Sequence, residues 1–151
     1  MSFKIPVSVL VVIHTPALDV LLLERVRMPG YWQSVTGSVE RIDEPLEHTA
    51  VREVREETGI LAQPADLLRW HVINTFRIWS EWSHRFVPGT THDTEHVFSL
   101  QVAARVPVVL AAEEHLSYLW LPWREAAQKC FSWSNREAIE MLPTRVPISL
   151  A

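Results

Sequence analysis

The chain has 151 residues, 48% of them hydrophobic, with 14 Lys and Arg against 18 Asp and Glu and a formal net charge of −4. That length and apolar content support one substantial core, so a single domain over residues 1–151 is expected. The acidic balance argues against nonspecific nucleic-acid binding, which needs a basic surface, and a single cysteine, Cys130, excludes an intrachain disulfide and a cysteine-based zinc cluster.

No basic leader with a cleavage pattern opens the chain, and its longest apolar stretch, VSVLVVI at 7–13, is far short of the ~20 residues of a membrane span. A cytoplasmic protein without membrane attachment is expected. Residues 7–13 and 20–26 (VLLLERV) read as two strands joined by a turn at His14-Thr15-Pro16, and their near-continuous apolarity predicts burial on both faces. Lys4 precedes the first strand and Arg25 ends the second. After the turn Met28-Pro29-Gly30, residues 31–36 run extended to Gly37, with Trp32 as core and the Thr36 hydroxyl free to meet a ligand.

Residues 43–57 predict a helix, with Asp43 as its N-cap, Pro45 in the first turn and Gly59 as the left-handed residue that closes it. Leu46, Ala50, Val51 and Val54 form the apolar stripe. Beside it Glu53, Glu56 and Glu57 fall at i, i+3 and i+4. Each like-charge pair at that spacing opposes the helix by roughly 0.2–0.5 kcal/mol, and the macrodipole makes the C-terminal half the wrong place for negative charge. A hard divalent cation reverses that balance. Mg²⁺ suits it, being commonly held by one or two carboxylates plus substrate phosphate oxygens.

Beyond the helix, Ile60 begins a short extended piece, Pro64-Ala65-Asp66 breaks it, and 70–79 (WHVINTFRIW) reads as a strand whose alternation continues through 80–87. Pro88-Gly89 opens a polar loop before a strand at 95–102. Residues 111–116 (AAEEHL) lead into a strand-like run at 117–121, and Pro122 starts a helix to about Cys130. Ser134 and Glu137 form a capping-box pattern for the last helix, which Pro143 stops. His84, His92 and His96 lack metal-ligand spacing, and His115 reads as a bystander beside a solvated Glu113-Glu114 pair. Strands around one acidic helix, with closing helices and no simple βαβ alternation, predict an α/β or α+β sandwich with a mixed sheet.

Gly37, Glu44, Arg52-Glu53-Val54, Glu56-Glu57 and Gly59-Ile60 resemble the signature of the Nudix hydrolases. Seven residues separate Glu44 from Arg52, as in that family, whereas six separate Gly37 from Glu44, one more than usual. The resemblance implies a Nudix-type α/β/α sandwich in which Glu53 and Glu57 are principal metal ligands, Glu56 is a further ligand or base, and Arg52 orients them. Thr36-Gly37-Ser38, HRFVPGTT, EHLSYLW and FSWSNR are similar to segments of the dihydroneopterin triphosphate pyrophosphatase branch. That branch implies hydrolysis of dihydroneopterin triphosphate to the monophosphate and pyrophosphate in folate biosynthesis, with Mg²⁺ or, as a substitute, Mn²⁺.

The same resemblance implies substrate contacts from Lys4, Arg25 and Thr36, from Phe76, Arg77, Ile78 and Trp79, and from Ser132. It also makes Glu114 a ligand to both metal and substrate. The flat pterin needs an aromatic wall at one end of the site and cation-bridged carboxylates at the other. A nucleoside triphosphate pyrophosphohydrolase with another base pocket, or a noncatalytic Nudix ligand-binding module, are the alternatives; in each the partner is a small molecule.

Overall fold

The computed structural model describes residues 2–146. In chain order it contains strands β1 (Val7–His14), β2 (Asp19–Arg25), β3 (Trp32–Gln33) and β4 (Val35–Ser38), then helix α1 (Leu46–Thr58). Strands β5 (Leu67–Arg77), β6 (His92–Gln101) and β7 (His115–Pro122) follow, and helices α2 (Trp123–Lys129) and α3 (Trp133–Arg145) close the chain.

Strand β1 is central because its side chains serve both faces. Val9, Val11 and Ile13 pack in one cluster with Ala50 and Val54 of α1, while Leu10 and Val12 enter the opposite cluster with Ala126 and Ala127 of α2 and Ile139 and Leu142 of α3. β2 repeats the division, with Leu21 and Leu23 on the α1 side and Val20 and Leu22 on the other. Burial on both faces explains why these strands read as continuous apolar runs rather than alternating ones. The result is an α/β/α sandwich.

The sheet is mixed. β1 runs parallel to β6, from Val7↔Thr94 to His14↔Gln101, and antiparallel to β4, from Ser8↔Ser38 to Val11↔Val35. β5 is antiparallel outside β6. β2 leaves β1 after the pair His14↔Val20 and takes β3 and β7 as antiparallel neighbours. This divergence gathers the start of β1, the end of β2, β4 and the C-terminal half of α1 around one opening. Among the described residues no helix is long and apolar enough to cross a membrane.

Several local expectations are corrected. α1 begins at Leu46 behind Pro45, which at ψ 138° is extended; Asp43 caps nothing and instead pairs with Arg41 at 3.2 Å on the surface. The C-terminal expectation holds, with Gly59 at φ 74° donating its N–H to Arg55 O. Residues 60–63 form no strand, and β5 starts at Leu67 and ends at Arg77, with a bulge between Arg69 and Ile73 where His71 adopts φ 57°.

Residues 80–87 do not continue that strand. Ser80–Arg85 is a 3₁₀ segment, in which the three-residue period eclipses positions i and i+3. Trp79 and Trp82 stack at 4.9 Å across that spacing, and the Trp82 N–H donates to Trp79 O at 2.9 Å. α3 is capped by Ser132, whose hydroxyl accepts from the Asn135 N–H, rather than by Ser134. Pro143 lies inside its last turn, where a missing N–H costs only one carbonyl its partner, and the helix runs on to Arg145.

Candidate active site

A cleft of about 1440 Å³ occupies that opening, bounded by the N-terminal segment, β4, the C-terminal half of α1, the ends of β5 and β6, the 113–115 loop and the start of α3. Arg52, Glu53, Glu56 and Glu57 line it, as do Lys4, Arg25, Thr36, Phe76, Arg77, Ile78, Trp79, Glu114 and Ser132. The fold therefore brings every residue expected to hold metal or substrate to one cavity.

Helical period places the box glutamates on the cleft side of α1, but with unequal exposure. Glu57 is 1% exposed, Glu53 is largely buried, and the Glu56 side chain is 48% exposed. Burial first, then the Glu53 charge and its shared hydrogen bond, push Glu57 well above the usual carboxylate range; burial also raises Glu53. Two carboxyls so placed oppose each other's ionisation, and a cation beside them relieves that opposition.

Donor atoms of Glu57, Glu114 and His115 lie within 4.8 Å of one another, and Glu57 Oε2 is buried without a hydrogen-bond partner among the described residues. Desolvation and then the nearby Arg25 lower His115 to about 4, so its ring is neutral and the 3.6 Å approach of Nε2 to Glu57 Oε1 is not an ion pair. An orphaned buried oxygen, converging carboxylates and a neutral imidazole are a donor set that fits a divalent cation.

Gly37 has a steric reason to be glycine: a Cβ built there overlaps the Glu53 carboxylate. Because the obstacle is a flexible side chain, Gly37→Ala is expected to displace Glu53 without unfolding β4. Turnover should fall about 10- to 100-fold, the effect of a misplaced catalytic group, while the melting temperature changes little. Parallel rate and melting measurements check this, and an unchanged rate would mean that the position of Glu53 is immaterial.

Arg52 binds the loop to the helix. It donates to Glu53 Oε1 at 2.8 Å, Ser38 O at 3.1 Å and Glu44 Oε1 at 3.1 Å, with Glu40 and Glu56 at 3.5 and 3.7 Å. Glu44 also accepts from the Thr49 hydroxyl at 2.7 Å and the Glu40 N–H at 3.0 Å. Burial alone would raise Glu44, but the hydrogen bonds from Arg52, Glu40 and Thr49 bring it down to about 2. The extra residue after Gly37 is thus absorbed in the exposed 40–43 turn, while Glu44 still reaches Arg52.

Opposite the carboxylates lie cations. Desolvation and then Arg85 lower the pKa of both Lys4 and Arg25, whereas Glu53 and Glu114 act on Lys4 in the opposite sense. Arg25 donates to Gln33 Oε1 at 2.8 Å and stacks over Trp82 at 4.9 Å, leaving its buried Nε without a partner among the described residues. Mutually repelling cations next to a cation-binding acidic cluster suit a polyphosphate, which interacts favourably with both. Trp79 continues the wall, meeting Phe131 edge-on at 5.7 Å; Phe76 is half-buried and Trp79 is 41% exposed.

A family model described as NUDIX domain matches residues 4–142. The chain belongs to the NUDIX family. Among NUDIX relatives it is 43% identical over 141 residues to the dihydroneopterin triphosphate diphosphatase of Escherichia coli K12, covering 91% of this chain and 92% of that one. It is 36% identical over 143 residues to the protein of the same name from Haemophilus influenzae, covering 93% and 89%. The solved structure of the E. coli dihydroneopterin triphosphate pyrophosphohydrolase superposes with a TM-score of 0.87 at 40% identity, covering 97% of this chain and all of that one.

Some cleft residues of this NUDIX chain carry no local sequence signal. His115, expected to be a bystander, is 5% exposed and adjoins Glu57. Arg85 and Trp82 enter through the 3₁₀ turn, and Phe131 through the cap of α3. Asp93 and Glu95 are buried at the start of β6 and also line the cleft. β6 lies between β1 and β5, so the burial of these two acids follows from pairing on both sides and has no local sequence signal.

Proposed function

We propose that the protein is a Mg²⁺-dependent pyrophosphohydrolase that converts dihydroneopterin triphosphate to dihydroneopterin monophosphate and pyrophosphate, a step of folate biosynthesis. The observation that carries this reading is one cleft in which cation-demanding carboxylates, unpaired basic side chains and an aromatic wall adjoin. Relatives named for that substrate, similar over nearly their whole length, support it.

In this mechanism Glu53, Glu56, Glu57 and Glu114 hold the metal, and Arg52 fixes the direction of Glu53 through its 2.8 Å hydrogen bond. Neutral His115 keeps Glu57 in place. When bound, Mg²⁺ supplies Lewis-acid polarisation of the phosphate oxygens and a template for them. Lys4, Arg25 and Arg77 neutralise the triphosphate, Thr36 and Ser132 hydrogen-bond to the substrate, and Phe76, Ile78 and Trp79 cover the heterocycle. A carboxylate of the cluster takes the proton of the attacking water.

The test is a comparison of kcat/KM across dihydroneopterin triphosphate and the common nucleoside triphosphates in Mg²⁺. Preference for the pterin by at least about tenfold, or 1.4 kcal/mol in transition-state binding, is expected. Equal or better turnover of ordinary nucleotides would make the protein a nucleoside triphosphate pyrophosphohydrolase; no turnover of any triphosphate would make it a binding module.

A further inference from the structure

Asp93 and Glu95 stand two residues apart on β6, so their side chains leave the same face of the sheet. They are 6% and 5% exposed, yet both border the cleft. Each acid is held at one side and free at the other. Asp93 Oδ2 accepts from the Ser8 hydroxyl at 2.9 Å, and the Ser134 and Asn74 side chains act on the Glu95 carboxyl to favour its charged form. Asp93 Oδ1 and Glu95 Oε1 have no hydrogen-bond partner among the described residues.

Two buried acceptors left open two residues apart are costly to a fold, because a buried polar group without a partner forfeits its hydration. No element of the sandwich uses them. Their neighbours define what could. Phe76 is the cross-strand partner of Asp93 and Asn74 that of Glu95, so an aromatic ring and neutral polar groups adjoin the acids. Lys4 is the charge nearest in effect to Asp93, and it disfavours a second cation there. Burial raises both carboxyls, Glu95 to about 7, and N–H donors brought to their open oxygens would favour the carboxylate form and oppose that shift.

We infer that Asp93 and Glu95 determine heterocycle specificity by accepting the adjacent N–H donors of a 2-amino-4-oxopyrimidine edge while the ring lies against the aromatic wall. The inference rests on the proposed function, since a dihydropterin carries that edge in its 2-amino group and ring N3–H. Two neighbouring donors would supply one hydrogen to the open oxygen of each acid. A 2-oxo heterocycle turns an acceptor toward the same oxygens, and adenine presents one donor beside one acceptor. Sites built to satisfy a hydrogen-bonding edge discriminate strongly against ligands that lack it, because the site's own buried groups are then left unpaired.

Binding of 7,8-dihydroneopterin, which lacks the triphosphate, isolates this contact from the metal. In metal-free buffer, fluorescence titration of the wild-type protein is expected to show binding about tenfold or more tighter than that of the 2-oxo (dihydrolumazine) analogue. Asp93→Asn and Glu95→Gln should each weaken dihydroneopterin by a similar factor and narrow the preference. KM for the triphosphate should rise, with pyrophosphate still the product and the melting temperature unchanged or higher. A merely structural role would instead lower the melting temperature and leave the preference intact.

Equal wild-type affinity for the two heterocycles overturns the inference without any variant being needed. So does a divalent-ion-induced melting shift that Asp93→Asn abolishes, since that would make the pair a cation site. If the wild type turns over dihydroneopterin triphosphate but the variants keep its discrimination, this assignment alone fails. If the wild type does not turn over the pterin at all, the proposed function fails with it.

Discussion

Replacing Glu57 by Gln is expected to reduce turnover by 10²-fold or more while leaving the chain folded. Glu57 is 1% exposed with one oxygen unpartnered, and it faces Glu53, Glu56 and Glu114. Its charge is unfavourable for the empty fold and useful only once a cation is present. Gln keeps the shape and removes the charge that binds the metal, a stabilisation worth several kcal/mol in the transition state. The same substitution relieves like-charge repulsion, so the metal-free variant should melt at the same temperature as the wild type or higher. Glu53→Gln should behave alike, with some added loss because Arg52 then surrenders a charged partner at 2.8 Å. Rates and melting curves with and without Mg²⁺ check both: the wild type should show a Mg²⁺-induced melting shift that shrinks in each variant. Full activity, or a failure to fold, would contradict the assignment.

The second large effect is an asymmetry between adjacent residues. Glu113 and Glu114 are both exposed and both line the cleft, but the group within 4.8 Å contains Glu114, Glu57 and His115 and not Glu113. The loop is pinned where it matters, since the Val26 N–H donates to Glu114 O at 2.9 Å and His115 N–H to Ala111 O at 3.0 Å. Glu114→Gln is therefore expected to raise the Mg²⁺ concentration giving half-maximal activity by about 10- to 100-fold, the range seen when groups supporting a metal site are removed. Glu113→Gln should change it little. Activity against Mg²⁺ concentration for the two variants measures the difference, and identical curves would mean that α1 builds the site alone.

How much of this was legible in sequence depends on how local the determining physics is. The carboxylate edge of α1 follows from helical period, and Gly59 closes the helix because only a left-handed residue fits there. β1 and β2 were legible because burial on both faces removes alternation. His115 was not, because its partner Glu57 lies on another element and the two meet only when β7 packs against β2. Asp93 looked like part of a polar loop and Glu95 like the first residue of a strand, since the burial of both depends on pairing with β5 and β1.

The same contrast explains the errors at element ends. Asp43 and Ser134 have good capping chemistry, yet α1 starts behind Pro45 with no side-chain cap and α3 is capped by Ser132 bound to Asn135, choices that residue type alone does not rank. At Ser80–Arg85 the alternation of aromatic and polar residues mimicked a strand, whereas Trp79 stacking on Trp82 favours the three-residue period.

On the proposed function, the cleft cleaves a pterin triphosphate to pyrophosphate and a monophosphate with the help of a metal that the α1 carboxylates would hold. The most direct test is ³¹P NMR of the products formed from dihydroneopterin triphosphate, with Mg²⁺ and then with the metal removed by chelation. Pyrophosphate and dihydroneopterin monophosphate in equal amounts, with turnover abolished by chelation and restored by Mg²⁺, is the expected result. Orthophosphate as the first product, or turnover indifferent to chelation, would contradict it.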